Sequence, residues 1–446
     1  MKRRVAALAV LLSATSAVQA QDPPLTDLIE SLYKRGVIEQ EEYERYKEAK
    51  QEERGRSRVE RRERALREAL DKERLAKLEA KKSWTDKIDF RGYVQFRDSM
   101  VVGGDEDIRP WNDRGVGPNT GISVRRARMI FSGQVSDNLF IYIQPDLASS
   151  AGDTGNVLQL RDFYGDISFD DKREYRIRVG QSKIPYSFED LQSSQNRLSL
   201  DRNDALNSCC TNERDLGAFF YWAPAEKRAM FSELNRLGLK GSGDYGVIAL
   251  GAYNGQGANR AERNNNMHTV ARFTWPFKTE KEQYYEFGIS AMNGQFSPIT
   301  SGTVRSDGDY RDRRVALHGV IYPQPWGVQA EWNWGEGPEL NQRTNRIEGG
   351  SLSGGYIQLM YRQEDFFGYG ALTPFVKYQN FSGAMKFQTN APATNVNDWE
   401  FGVEWQPRKE IELTVVWQRY DRNDVTRAPY SEFKSDVLRT QLQYNF

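Results

Sequence analysis

Leu438-Arg439-Thr440-Gln441-Leu442-Gln443-Tyr444-Asn445-Phe446 closes the chain and alternates with a period of two. Leu438, Thr440, Leu442, Tyr444 and Phe446 fall on one face, and Arg439, Gln441, Gln443 and Asn445 on the other. Such alternation marks a strand whose two faces meet different surroundings. Here one face is mostly apolar or aromatic, the other is polar, and the run stops on an aromatic. A soluble sheet has no evident use for a final strand of this kind. A barrel closed within a membrane does, because its last strand must pair with its first to leave no backbone edge in lipid.

The same pattern recurs from Lys87 onward. Strands are expected at 87–98, 121–134, 138–147, 157–169, 173–181, 214–224, 243–254, 266–276, 282–294, 312–323, 326–337, 349–363, 370–382, 396–407, 410–422 and 433–446. That is an even number, as in single-chain bacterial barrels. Connections after odd strands are mostly long and those after even strands mostly short, such as Val135-Ser136-Asp137 and Arg408-Lys409. This is the asymmetry of outer loops and periplasmic turns. The connection 225–242 breaks the rule. The expected fold is all-β, a 16-stranded antiparallel transmembrane barrel over residues 84–446.

Mean hydropathy is −0.74, which resembles a soluble protein, but a membrane barrel hides from hydropathy because only alternate residues are apolar. The 12% aromatic content fits interfacial girdles. Lys2, Arg3 and Arg4, an apolar run from Val5 to Leu12 and the small-residue site Val18-Gln19-Ala20 read as a signal peptide over 1–20. Net charge is zero for the whole chain, and without the basic leader it turns slightly acidic, which argues against nucleic acid as a partner. The two cysteines, Cys209 and Cys210, are adjacent and form no disulfide framework. Two loop thiols is the plainer expectation, and export leaves a bridge between them open.

Residues 21–83 differ from the rest. A short helix is expected from Leu25 to Lys34, closed near Gly36. A long charged helix follows from Gln40 to Lys82, with Gly55 as a candidate interruption. Val59, Leu66, Leu70, Leu75 and Leu78 give a ragged apolar seam. The segment reads either as a periplasmic coiled coil that helps three barrels associate, or as a solvated single helix or partly ordered linker. Its other role would be contact with peptidoglycan.

Alternation assigns side chains to lipid or lumen. Tyr93, Gln95, Arg91 and Arg97 in the first strand, Arg126 and Arg128 in the second, Arg176 and Arg178 in the fifth, and later Arg272, Arg314, Arg362, Lys377 and Arg439 fall on the lumen side. Guanidinium forks suit phosphate and carboxylate, and a series of them would hand anions from site to site. The competing reading is that they pair with lumen acids. The third long connection, about Ser182 to Glu213, carries Lys183, Glu189, Asp190, Arg197, Asp201, Arg202 and Asp204. It is expected either to fold inward and narrow the channel or to lie outside in solvent.

Val124-Arg125-Arg126-Ala127-Arg128, Gln144-Pro145-Asp146-Leu147, Leu160-Arg161-Asp162-Phe163-Tyr164 and above all Arg178-Val179-Gly180-Gln181-Ser182-Lys183-Ile184-Pro185-Tyr186-Ser187-Phe188-Glu189 resemble the phosphate-selective porin O and P family. The resemblance implies a trimeric sixteen-stranded porin with wall arginines and a lysine-bearing constriction loop. It makes Arg125 a candidate pore residue, although strict alternation turns Arg125 to lipid and only a bulge or the nearby loop would bring it inward. Asp190 and Gln195 stand where phosphate-specific members carry lysine, and Tyr93 where a wall arginine is expected. The function expected is passive diffusion of small, preferably anionic solutes across the outer membrane, with surrounding lipid as the other partner. The alternative is a barrel-anchored tether to the cell wall. An enzyme is not expected: His268 and His318 have no nucleophile motif nearby. No metal-ligand spacing or cofactor motif is present.

Overall fold

The structure is a computed structural model that describes residues 22–80, 87–113, 115–118, 121–150 and 156–446. The expected signal segment lies outside the described residues. Two compact units emerge, Met1–Ser83 and Trp84–Phe446.

In the first unit, α1 (Asp22–Lys34) and α2 (Gln40–Ala80) form a helical hairpin. Gly36 takes the left-handed conformation (φ 68°) that ends α1, and Tyr33 stacks on Tyr43 at 4.2 Å across the turn. Gly55 does not interrupt α2, which runs through it unbroken. Val59, Leu66, Leu70 and Leu75 are all more than half exposed along α2. Among the described residues no helix is long and apolar enough to cross a membrane.

The second unit is a closed barrel of sixteen antiparallel strands, each paired with its chain neighbours and β1 paired with β16. Strands β1 (Ile88–Gly104) to β16 (Glu432–Asn445) fall where the alternation places them. In β10 (Tyr310–Ile321), for example, every second residue is buried. Much of what is buried is polar or charged. Arg97 and Arg439 are the largest fully buried side chains, while Phe90, Phe163, Phe287, Leu317, Trp332, Leu359 and Trp399 are exposed. A chain with arginine inside and phenylalanine outside is stable only where lipid replaces water around it.

Closure rests on the stretch that ends the chain. Leu438↔Met100, Leu442↔Phe96 and Tyr444↔Val94 are register pairs of β16 with β1. Gly92 and Phe446 exchange both backbone hydrogen bonds, at 2.8 and 3.0 Å.

Three departures bear on function. Strand β1 runs past the expected end at residue 98, because Val101, Gly103 and Gly104 pair with β16 around a bulge. A second bulge lies in β2 (Ser123–Gln134), where Gln95 pairs with Arg126 and Phe96 with Val124. Arg125 is the extra residue, and the bulge swings its side chain inward, which corrects the lipid-facing placement that strict alternation requires. Third, the connection between β6 (Arg214–Trp222) and β7 (Ile248–Tyr253) contains a helix, α4 (Ala225–Arg236). Strand β7 accordingly starts at 248 rather than at 243.

Candidate functional site: a lumen narrowed by an inward-folded loop

The connection from β5 (Tyr175–Lys183) to β6 folds into the barrel and touches its wall far from where it leaves. Its backbone amides at Phe188 and Glu189 donate to the Glu331 carboxylate of β11 (Trp326–Asn341) at 2.6 and 3.0 Å. Tyr186 Oη donates to Asn333 at 2.5 Å. Asn203, which caps the single-turn helix α3 (Asp204–Asn207), donates to Gln379 of β13 (Ala371–Ala384) at 2.9 Å. Ser199 donates to Glu400 of β14 (Ala393–Arg408) at 2.7 Å, and Ser194 Oγ meets Tyr93 Oη of β1 at 2.7 Å. Each of these wall side chains thus meets polar groups of the loop, so these buried groups are satisfied across the lumen.

Inside the loop, Lys183 donates to the carbonyls of Asp190, Leu191 and Gln192 at 3.0, 2.8 and 2.7 Å, pinning one turn. Arg202 pairs with Glu213 at 2.5 Å and lies 3.7 Å from Asp190. Glu189 pairs with Lys377 of the wall at 2.5 Å. Burial pushes the Asp190 carboxyl well above its ordinary range, opposed by Arg202 and assisted by Glu213, Glu331 and Glu189. Cys209 and Cys210 are joined as a vicinal disulfide at the end of the loop, buried among Tyr186, Leu206, Phe219 and Tyr253. The plainer expectation of two thiols is therefore corrected.

The wall arginines divide into two groups. Arg97, Arg125 and Arg439 surround Asp201 of the loop and Asp113, which the first long connection inserts beside it. Arg97 lies 2.6 Å from Asp113 and 3.3 Å from Asp201, Arg125 lies 3.8 and 3.6 Å from the same pair, and Arg439 contacts both. Burial alone would raise these two acids; the guanidinium groups outweigh it and hold both carboxyls below the usual range. Arg128 pairs with Asp146 at 2.8 Å, Arg178 is bidentate on Asp166 at 2.7 and 2.9 Å, Arg176 reaches Asp244 at 2.8 Å, and Arg272 faces Glu286 at 3.5 Å. Each of these four has a carboxylate of its own or shares one.

Among the described residues Arg126, Arg197 and Arg91 form no ion pair. Arg126, 6% exposed, donates to Gln95 at 2.8 Å and makes no ion pair among the described residues. The charges that bear on it most are those of Arg125, Arg128, Arg97 and Arg197. Arg197, 5% exposed, donates a long hydrogen bond, 3.4 Å to the Leu200 carbonyl, and its Nε and Nη1 have no hydrogen-bond partner among the described residues. Arg91 lies exposed at the barrel mouth on the same face as Tyr93.

Sequence reasoning missed Asp113, in a connection read only as long, and Lys240, in the irregular one. Asp113 has no local signal. The two histidines are held in the wall, His268 on Asp312 at 3.1 Å and His318 on Thr274 at 3.1 Å.

A sixteen-stranded barrel with a lipid-compatible outer face and a lumen narrowed by its own third long connection is the architecture of an outer-membrane porin. The phosphate-selective porin O and P family matches residues 99–446, and the chain belongs to it. Among solved structures, the outer-membrane channel DcaP of Acinetobacter baumannii is similar at 15% identity, covering 80% of this chain and 97% of its own, with a TM-score of 0.51. OmpF of Salmonella typhi, solved with daunomycin, is similar at 13% identity with the same coverage and the same TM-score. At such identities the likeness is one of fold. No curated protein sequence matches the chain. The protein is an outer-membrane channel for small solutes, placed in the bacterial outer membrane by family and fold.

Proposed function

We propose that this porin prefers anions, with phosphate and related oxyanions among its solutes. One observation carries the reading: Arg126 and Arg197, on the wall and the constriction loop, form no ion pair among the described residues, whereas the other buried wall arginines named above do. A fixed positive charge beside a narrow aqueous path raises the local anion concentration and lowers that of cations. At a separation of about 8 Å in water-like surroundings one such charge is worth ~0.5 kcal/mol, or roughly two- to threefold in the partition of each ion.

The test is planar-bilayer recording of the purified protein across a salt gradient. Arg126→Gln is expected to move the reversal potential toward cations by that factor, and Arg126→Lys to keep it. Phosphate is expected to block chloride current less in the glutamine variant. An unchanged reversal potential in a normally folded Arg126→Gln barrel removes Arg126 from ion selection.

The chain is further proposed to assemble as a homotrimer aided by α2. The support is the exposed row Val59, Leu66, Leu70 and Leu75, which a lone helix in water has no reason to carry. Leu66→Glu combined with Leu70→Glu is expected to lower the temperature at which the oligomer dissociates in detergent while leaving conductance per channel as it was. An unchanged dissociation temperature takes the helix out of assembly.

A further inference from the structure

The connection between β6 and β7 lies at the end of the barrel that carries the start of β1 and the end of β16, the end that faces the periplasm in porins. A two- to four-residue turn would suffice there. Instead, residues 223–247 form α4 and a glycine-rich return, Leu239-Lys240-Gly241-Ser242-Gly243-Asp244-Tyr245-Gly246. This segment does not trail into solvent. Phe231 packs between Ala223 and Val247. Leu234 and Leu239 pack with Tyr284 on β9 (Tyr284–Phe296) and Val320 on β10. The Gly238 carbonyl accepts from Arg362, just past β12 (Arg346–Tyr361), at 3.3 Å. Lys240 donates to both carboxylate oxygens of Glu404 on β14, at 2.5 and 2.7 Å, with both side chains buried.

The last contact fixes the geometry. Around the ring, β14 is seven strands from β7 in one direction and eight from β6 in the other. Lys240 therefore grips the wall opposite the strands from which its segment springs, and the segment crosses the lumen. It also meets the constriction loop: Gln192 donates to the Lys240 carbonyl at 2.5 Å, and Phe188 packs on Leu234 and Leu239. At its base Asp244 holds Arg176 and Arg228, each at 2.8 Å, which ties the return to the wall beside β5.

We infer that residues 225–246 form a second constriction on the periplasmic side, a crossbar locked by the Lys240–Glu404 ion pair, and that Lys240 helps set which ions pass. Solutes cross two narrowings in series, the loop after β5 and then the crossbar. Glu404 lies against Glu412 of β15 (Ile411–Asn423), so Lys240, with Arg362 also near, is the cation in direct contact with an acidic pair at the far wall. Without it that wall becomes more attractive to cations. The inference rests on the channel reading of the chain and not on its anion preference.

The test uses the full-length protein in planar bilayers and in proteoliposomes. Replacing residues 225–246 by a short Asn-Gly turn is expected to raise single-channel conductance at least about twofold and to admit neutral sugars larger than those the unaltered channel passes. Lys240→Gln is expected to move the reversal potential toward cations by roughly two- to threefold in permeability ratio. Lys240→Arg is expected to leave it in place. If the shortened protein folds into heat-modifiable oligomers and conducts as before, the crossbar is not a constriction. If the shortened protein does not fold, Lys240→Gln decides, and unaltered conductance and reversal potential in that variant overturn the inference. An unaltered protein that conducts nothing would instead overturn the channel reading. A cation-preferring one would overturn only the anion preference.

Discussion

Deleting Phe446 removes most of the folded oligomer from the outer membrane. The residue contributes little packing, because its ring is 55% exposed and meets Phe90 at a centroid distance of 5.9 Å. Its weight lies in the backbone. Gly92 donates to the Phe446 carbonyl and Phe446 donates back to the Gly92 carbonyl, the last rung of the seam between β1 and β16. Without that rung Gly92 keeps an unpaired N–H and C=O at the one place where the barrel was open before closure, and each unpaired group facing hydrocarbon costs several kcal/mol. Glycine at 92 belongs to the same device. A Cβ there would lie 2.5 Å from both the Phe446 ring and the Arg128 carbonyl, so Gly92→Val is expected to fail in the same way. The measurement is the fraction of protein that migrates as folded, heat-modifiable species. Normal levels in both variants would show that the seam closes without this rung.

The barrel was legible in the sequence because each strand states its own answer. In β11, from Val328 to Trp334, apolar or small residues alternate with polar ones, and lipid outside with water inside leaves no other arrangement for such a strand. The lumen was legible only as a face. Arg126 and Arg128 lie two residues apart on that face and look alike in sequence. One is neutralised because register sets Asp146 opposite Arg128, and the other is not because Gln95 stands opposite Arg126. Register between strands is a long-range property, and no local pattern contains it. Arg125 turned inward for the same reason, since a bulge is visible only once both strands are paired.

The β6–β7 crossbar was hidden differently. Met230, Phe231, Leu234 and Leu237 carry a helical spacing that can be read locally. It conflicted with the expectation of a short turn, and the conflict itself marked the place where the chain departs from a plain barrel.

Replacing Asp201 by asparagine is expected to loosen the constriction loop and open the channel. Asp201 is the charged part of the loop's hold on the wall between β1 and β16, beside the Ser194–Tyr93 contact. It contacts Arg439, lies 3.3 Å from Arg97 and 3.6 Å from Arg125, and shares these three cations with Asp113 alone among the acids in contact. With one carboxylate gone, the buried Arg97 and Arg439 and the half-buried Arg125 depend on one aspartate. Removing one partner of a buried ion pair costs about 3–5 kcal/mol, mostly because the remaining charges stay desolvated and uncompensated. That is enough to free a loop segment without unfolding a sixteen-stranded barrel. The expected readouts are larger and noisier single-channel currents, faster cleavage of the loop by protease, and a reversal potential shifted toward anions by the unmatched positive charge. Adding Arg439→Gln should restore quiet currents in part, since the double change removes one charge of each sign, and two residues in direct contact are expected to couple in this way. The same logic sets the pH range. The carboxyls of Asp201 and Asp113 are depressed in the folded protein, so the hold is fully present above the ordinary aspartate range near 3.8 and weakens only as pH falls through and below it. Noise that appears on mild acidification to pH 5, or quiet currents of unaltered size in Asp201→Asn, would show that the loop is held by its contacts with β11 and β13 rather than by this cluster.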